Sequence, residues 1–342
     1  MKKSVPILLL IAFLAISTNI YAQRTPPSQL IEKYWSVGFQ VNAFNYFGDL
    51  NPLKQYVSTK LEFTRPNIAI NISKKMTKNL SLRASFGYGR IVGDDSQAAT
   101  LKDLDGASRY GRNLHFRNDL FELAVVGIYE FKSSKGRFYR RSYLTPYVMA
   151  GVAGFYHNPK AKTPTAMGAD WVALQPLGTE GQGKPGYAKA YSLWQLAFPV
   201  GVGLRYRLND KLDISAEIGF RFTTTDHLDD VSGRYADIRD LSSDLARKMA
   251  DRSAEPTSAL TGKPRDIAAV SAIVGGVSTA FGSNDDLNNL VQLPGYQRLG
   301  SYGLKGDVRG TGLFGKNDMY VVTGFHLNYI LTTRRHPRYR SR

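Results

Sequence analysis

The chain has 342 residues, no cysteine and a formal net charge of +17. Without cysteine it has no disulfide, no thiolate metal site and no cysteine that could carry a lipid. Its length suits one large domain or two small ones. The positive charge alone would fit a nucleic-acid-binding protein, but the export signal described next argues against that partner.

The first 22 residues have the pattern of a cleaved secretory signal. Lys2 and Lys3 give a positive start, and residues 6–17 are dense in Leu, Ile and Ala. Ala22 then supplies a small residue before the expected cleavage point. The apolar run is too short for a membrane anchor, which needs about 20 apolar residues. We therefore expect a signal peptide over 1–22 and a single exported domain over 23–342.

Eight later segments alternate between apolar residues and polar or small ones, which is the pattern of β-strands with two different faces. In the clearest, Trp194, Phe198, Val202 and Tyr206 share the apolar face. This segment is longer than the usual strand of about 5–6 residues and suits a membrane strand, which needs about 9–11. The eight segments begin near positions 35, 66, 80, 115, 144, 192, 212 and 319.

The connections between these segments alternate strictly between short and long. The short ones are 74–78, 133–139 and 209–210, and the long ones are 48–60, 93–113, 158–190 and 225–317. This pattern is typical of an outer-membrane barrel with short periplasmic turns and long extracellular loops. We predict an all-β fold: an eight-stranded antiparallel transmembrane β-barrel with both termini in the periplasm.

The last loop, 225–317, is predicted to be an extracellular insertion that carries a short helix. Ile238, Leu241, Leu245 and Met249 recur at spacings of three and four residues, which predicts a helix over 235–252. The remainder, 253–317, is rich in Gly, Ser, Asn and Asp and is expected to be irregular.

The interior of an eight-stranded barrel is just wide enough to be filled by side chains. The alternation places six charged residues on the inward face, and buried charges must pair to be tolerated. We therefore expect a network of ion pairs that plugs the barrel and does not conduct. Its members are Arg83, Glu122, Arg205, Asp213, Glu217 and Arg221.

The basic excess falls on the turns and on the C-terminus, which together form the predicted periplasmic rim. Two interpretations are open: anchoring near lipid headgroups, or electrostatic docking of an acidic periplasmic partner. The candidate docking residues are Lys74, Lys75, Arg137, Arg140, Arg141, Arg334, Arg335, Arg338 and Arg340.

Chemical motifs are scarce. Asp226, His227, Asp229 and Asp230 cluster where the seventh strand meets the last loop. They could bind a cation or act in acid–base chemistry, but an Asp-rich strand end is more often turn structure. We predict no catalytic, cofactor-binding or metal-binding residue. Two alternatives stay open: a small porin-like barrel, and a membrane-embedded hydrolase that uses Asp226, His227 and Asp229.

Several short segments resemble a known family. They are Gly48, Asp49, Asn51 and Pro52 after the first strand, 145–152 in the fifth, 174–181 in the third loop, 225–232 with Asp226, Asp229 and Asp230, and 317–320. Together they resemble the PorG-like outer-membrane proteins of the type IX secretion system. The resemblance implies a non-enzymatic barrel, without cofactor, that lies among outer-membrane lipids. Its implied partners are the periplasmic ring subunits, a lipoprotein and its partner, and not a nucleic acid.

Overall fold

The computed structural model of the protein describes residues 33–50, 61–99, 104–132, 137–266, 305–310 and 317–331, with 268, 269 and 272. The expected signal peptide, the C-terminal arginines and most of 267–316 lie outside the described residues. Asn51 and Pro52 of the resembling segments lie outside them as well.

The described residues form ten β-strands, of which eight are long and two are short. The long strands have 11 to 16 residues, enough to cross a membrane even when tilted. The strands are β1 (Trp35–Phe47), β2 (Arg65–Lys75), β3 (Leu80–Asp94), β4 (His115–Glu130), β5 (Leu144–Tyr156), β6 (Pro159–Lys162), β7 (Trp171–Ala173), β8 (Trp194–Arg207), β9 (Leu212–Thr223) and β10 (Met319–Leu331).

The eight long strands close into an antiparallel barrel. Their order is β3-β2-β1-β10-β9-β8-β5-β4, and β3 also pairs with β4, which completes the circle. The first and last strands are neighbours, with Trp35 opposite Leu331 and Phe47 opposite Met319. Closure leaves no unpaired strand edge along the barrel wall. The predicted eight-stranded antiparallel barrel is confirmed.

The outer wall is apolar along its whole height. On β8 the residues predicted to share one face are all exposed. Examples are Trp194 at 70%, Val202 at 57% and Tyr206 at 47%. Large side chains this exposed would be a liability in water, whereas the outer face of a transmembrane barrel requires them. Among the described residues, no helix is both long and apolar enough to cross a membrane.

Short and long connections lie at opposite ends of the barrel, as the alternation predicts. We call one end the turn end, because β2–β3, β4–β5 and β8–β9 join there and the described chain begins and ends there. We call the other the loop end, because the four long connections leave from it. At the turn end, Asn209 accepts from the backbone of Lys211 and Leu212 through its side chain and so closes the β8–β9 hairpin.

The loop end contains more structure than the sequence predicts. The 93–113 connection holds helices α1 (Asp95–Ala98) and α2 (Leu104–Arg112), where only a loop is expected. The 158–190 connection holds the β6–β7 hairpin, and β6 extends the sheet beyond β5 by pairing with β4. These elements are too short to produce a long periodic pattern in the sequence.

The helix predicted over 235–252 is wrong in its extent. Only α3 (Asp244–Ala250) is α-helical, and a single 3-10 turn covers Ile238–Asp240. Ser243 divides the two because its hydroxyl accepts from the backbone of Ala246 at 3.1 Å and caps a new helix. The periodic apolar residues are nevertheless buried: Ile238 and Leu241 lie in one cluster and Met249 in another.

The apolar core lies inside the barrel at the loop end. Its central rings are in contact: Phe44 and Tyr320 at 5.3 Å, Tyr46 and Phe116 at 4.8 Å, and Phe155 and Tyr320 at 6.1 Å between centroids. All five are buried. The rings pack across this end of the barrel, and the rest of the interior combines charged side chains with buried apolar ones such as Val126, Met149 and Ile330.

Candidate functional site

The inward face of β9 organises the barrel interior into three charged tiers. Asp213, Glu217 and Arg221 are spaced four residues apart, so they point into the same lumen at intervals of about 13 Å. Each is buried and each lies within an ion pair.

The tier nearest the turn end contains five charged side chains. Asp213 pairs with Arg141 at 2.7 Å, and Glu130 pairs with Arg205 at 2.5 Å and with Lys75 at 2.7 Å. Arg141 also donates to the backbone carbonyls of 138, 209 and 210. This tier therefore ties the turns to the barrel wall.

Two candidate docking residues are thereby placed inside the barrel, not on an exposed rim. Lys75 and Arg141 are each only 2% exposed. Lys75 has the same inward parity on β2 as Asn71, and Arg141 reaches the lumen from the turn because two carboxylates lie there. The prediction that these two residues lie on an exposed partner-binding surface is therefore wrong.

The middle tier is a double hydrogen bond between Arg83 and Glu217. Nη1 and Nη2 of Arg83 donate to the two carboxylate oxygens at 2.8 and 2.9 Å. Tyr147 donates to the same carboxylate at 3.0 Å, and Nδ1 of His326 lies 3.8 Å from it. The forked geometry is the strongest form of this ion pair.

The third tier lies just below the aromatic core. Arg221 faces Glu122 at 3.3 Å, and the hydroxyl of Tyr320 donates to Glu122. Tyr320 belongs at once to this tier and to the ring cluster above it. Tyr320 therefore connects the charged tier to the apolar ring cluster.

The described interior brings five cations together with four carboxylates. They are Lys75, Arg83, Arg141, Arg205 and Arg221, with Glu122, Glu130, Asp213 and Glu217. The charges nearly cancel, and in a barrel of eight strands such side chains fill the cross-section. Ion pairs that join side chains of different strands in this way can stabilise the barrel wall.

Three of the segments that carry the family resemblance converge above the core. The hydroxyl of Tyr46 lies 2.6 Å from Asp229 and 3.1 Å from Asp318, and the backbone of Leu50 donates to Asp229 at 3.2 Å. Asp49 lies next to them and is also buried. A Cβ added to Gly48 would come within 2.0 Å of Tyr46 and Asp318, so this packing requires a glycine.

Burial and mutual repulsion hold protons on this cluster. Burial and the neighbouring Asp49 raise the pKa of Asp229 well above its usual range, and burial and Asp229 raise the pKa of Asp318 likewise. A hydroxyl with one hydrogen cannot donate to two carboxylates, so a protonated carboxyl fits the geometry around Tyr46. Among the described residues, no group of acidic or histidine side chains is arranged to hold a metal ion.

Asp230 faces away from that cluster and into the 174–181 segment. It accepts from Thr179 at 2.6 Å and from Tyr191 at 2.7 Å, and burial raises its pKa to about 6. Arg309 joins the same unit by donating to the backbone carbonyl of Asp230 and to Glu180. Two long loops are thereby fastened to each other.

Two of the residues considered for a hydrolase, His227 and Asp229, are directed to different partners. Asp229 points towards Tyr46, while Nε2 of His227 lies 3.0 Å from the hydroxyl of Ser232. That hydroxyl also contacts Glu180 at 3.0 Å, and Glu180 accepts from the backbone of Ser232 too. The serine–histidine contact, which the sequence reading missed, therefore belongs to a turn fastened by Glu180.

The exposed surface of the turn end is basic. Lys132, Arg137 and Arg140 are exposed, and Lys74 and Lys78 are partly exposed. The carboxylates of Glu130 and Asp213 at this end are turned inward, where they pair with interior cations. Asp210 is partly exposed in the β8–β9 turn, but cations outnumber it on the described turn-end surface, which therefore has a net positive charge.

Some members of the interior network were missed but were within reach of the sequence. Glu130 lies eight residues after Glu122 on the same face of β4, and His326 lies on the inward face of β10. Parity along the strand would have found both. Arg141 precedes β5 and has no strand parity, so no periodic signal marks it.

Comparison with known proteins finds limited similarity. A family model described as a domain of unknown function, DUF6089, matches residues 11–165, somewhat less than half of the chain. No curated protein matches this chain.

Three solved structures are similar to parts or most of the fold. Neisserial surface protein A has 9% identity and a TM-score of 0.36, with 87% of this chain and 98% of that chain covered. Ail of Yersinia pestis, crystallised with a heparin analogue, has 8% identity and a TM-score of 0.28, with 55% of this chain and 85% of that chain covered. AlkL, described as an outer membrane protein, has 11% identity and a TM-score of 0.28 over 93% and 99%. The barrel itself is established by the strand pairing of this chain.

Proposed function

We propose that this protein is a non-conducting, non-enzymatic outer-membrane barrel that anchors a protein secretion machine of the type IX kind. Its turn end faces the periplasm, and the basic surface there docks on the periplasmic ring formed by a lipoprotein and its partner subunit. The long loops face the cell exterior.

The observation that carries this proposal is the distribution of charge, which is nearly balanced inside the barrel and positive on the turn-end surface. Inside, cations meet carboxylates in buried pairs. At the turn end, Glu130 and Asp213 pair with interior cations, Asp210 is partly exposed, and Lys132, Arg137 and Arg140 are exposed. A barrel is held in the bilayer by its apolar outer band, so this surface charge is available to attract an acidic partner.

Two further observations support the assignment to secretion and not to transport. Three of the segments that resemble the PorG-like proteins meet at the junction of Tyr46, Asp229 and Asp318, so these three form one structural unit. The lumen is filled by ion pairs and rings, which favours a structural role over a porin. His227 and Asp229 of the hydrolase alternative are directed to separate partners.

Neutralising the exposed basic surface tests the proposal. We expect the combined variant Lys132→Gln, Arg137→Gln and Arg140→Gln to abolish co-purification with the ring subunits and to block cargo secretion. Each exposed charge contributes only about 0.2–1 kcal/mol, so single substitutions should have small effects. Together they should weaken binding by several kcal/mol at most.

A matched control removes exposed charge from the loop end. Lys184→Gln, Lys189→Gln and Lys263→Gln reduce the net charge on the opposite side and should leave ring binding intact. Heat-modifiable gel mobility verifies that each variant folds. If the turn-end variant folds and binds the ring as wild type does at physiological salt, the docking proposal is wrong.

A further inference from the structure

Three basic residues at the turn end lie against aromatic rings of the outer wall. Nζ of Lys74 lies 4.8 Å from the ring of Trp35, the guanidinium of Arg207 lies 4.2 Å from Tyr143, and Nζ of Lys211 lies 5.9 Å from Tyr329. These distances are within the range of cation–π contacts, about 6 Å from the ring centroid.

The three pairs form a continuous arc around the barrel. Each cation and its ring come from neighbouring strands: β2 with β1, the start of β9 with β10, and β8 with the residue just before β5. Two backbone hydrogen bonds fix the last two placements, Arg207 to Tyr143 and Ile330 to Lys211. In the sheet order these six strands are consecutive.

The rings face the surroundings of the barrel and not its lumen. Trp35 and Tyr329 are each 45% exposed and Tyr143 is 65% exposed, and they stand at the end of the apolar band. Exposed Trp and Tyr at such a level mark the interface between hydrocarbon and headgroups. The cations beside them are held at headgroup height.

Within the described part of the chain, the same cations are not neutralised by carboxylates. Among the described residues, Lys74, Arg207 and Lys211 have no carboxylate partner within ion-pair distance, and all three are partly exposed. Strands lie about 4.8 Å apart, so pairs that occupy two strands each follow one another at about 10 Å around the wall. This spacing leaves room for one headgroup at each pair.

We propose that this arc binds the phosphate groups of anionic phospholipids in the leaflet at the turn end. Each ring buries its face against the lipid and positions a cation over the phosphate. The basic turn end is thus divided between two uses: Lys74, Arg207 and Lys211 contact lipid, and Lys132, Arg137 and Arg140 remain for the ring partner of the proposed function.

The test measures the binding of phosphatidylglycerol to the full-length folded barrel. Native mass spectrometry during a phosphatidylglycerol titration should show up to three retained lipids, and phosphatidylcholine should be retained less. The combined variant Lys74→Gln, Arg207→Gln and Lys211→Gln should lower the apparent affinity about tenfold or more, since each basic residue at a membrane surface contributes substantially. The variant Lys184→Gln, Lys189→Gln and Lys263→Gln is the charge-matched control and should bind as wild type does.

A second variant separates positioning from charge and from folding. Tyr143→Leu keeps all charges and an apolar side chain at the interface, so it should fold and should lose affinity at one of the three sites only. If the folded triple variant retains phosphatidylglycerol as wild type does, the lipid arc is wrong. Ring co-purification reports separately: the triple variant should keep the ring, whereas the docking variant at 132, 137 and 140 should lose it and keep the lipid.

Discussion

The substitution Glu217→Gln tests whether the ion pairs of the lumen hold the barrel together. Arg83 and Glu217 are each 6% exposed and are joined by two hydrogen bonds of 2.8 and 2.9 Å. The substitution keeps the shape of the side chain but leaves the guanidinium buried without its counter-charge. Removing one partner of a buried pair costs about 3–5 kcal/mol.

A loss of this size is a large fraction of an ordinary folding free energy, about 5–15 kcal/mol. With a urea dependence of about 2 kcal/mol per molar, the unfolding midpoint should fall by about 2 M. The assay is equilibrium unfolding in lipid vesicles or micelles, followed by tryptophan fluorescence and by heat-modifiable gel mobility.

An exposed ion pair of the same wall provides the control. Arg90 and Asp119 are joined at 2.6 Å, but their side chains are 38% and 26% exposed. Asp119→Asn should therefore cost only about 0.2–1 kcal/mol. If Glu217→Gln costs no more than Asp119→Asn, the interior pairs do not brace the barrel and the reasoning is refuted.

Four other outcomes are expected. Gly48→Ala should destabilise the loop end by about 1–3 kcal/mol because its Cβ would meet Tyr46 at 2.0 Å, and amide hydrogen exchange near residue 229 would measure this. Burial lowers the pKa of His157 to about 4, so the stability it contributes is present above pH 6.5 and is lost as the pH falls towards 4; His157→Gln should reduce the loss between pH 7 and pH 5 by about 2 kcal/mol, and an equal pH dependence in both proteins would contradict this. Purified protein should show no large, stable single-channel steps in planar bilayers. Cysteine placed at exposed Lys189 should be labelled on intact cells and cysteine at Arg137 should not, and the opposite result would reverse the orientation.

The long strands could be predicted from the sequence because membrane strands must keep one face apolar over their whole length. On β8 and β9 every outward residue is apolar, so the period is unbroken and the hairpin at Asn209 is evident. Strand parity also places Arg83, Glu217 and Arg221 in the lumen. It does not identify their partners, because register across the barrel depends on closure.

The prediction failed where a side chain near a strand end could turn either way. Their positions in short turns predict that Lys75 and Arg141 lie on the rim, yet both pair with the inward carboxylates of Glu130 and Asp213. At the loop end the structure depends on long-range contacts such as Arg309 with Glu180, 129 residues apart. Periodicity in a single sequence carries no information on such contacts.

Placement of the turn-end surface against a protein partner is the central claim, and site-specific photo-crosslinking in intact cells tests it most directly. A photoreactive residue at Arg140, which is exposed at the turn end, should crosslink to the lipoprotein of the periplasmic ring. The same residue at Lys189, which is exposed at the loop end, should not. Crosslinking of the ring lipoprotein from position 189 and not from position 140 would contradict the proposed function.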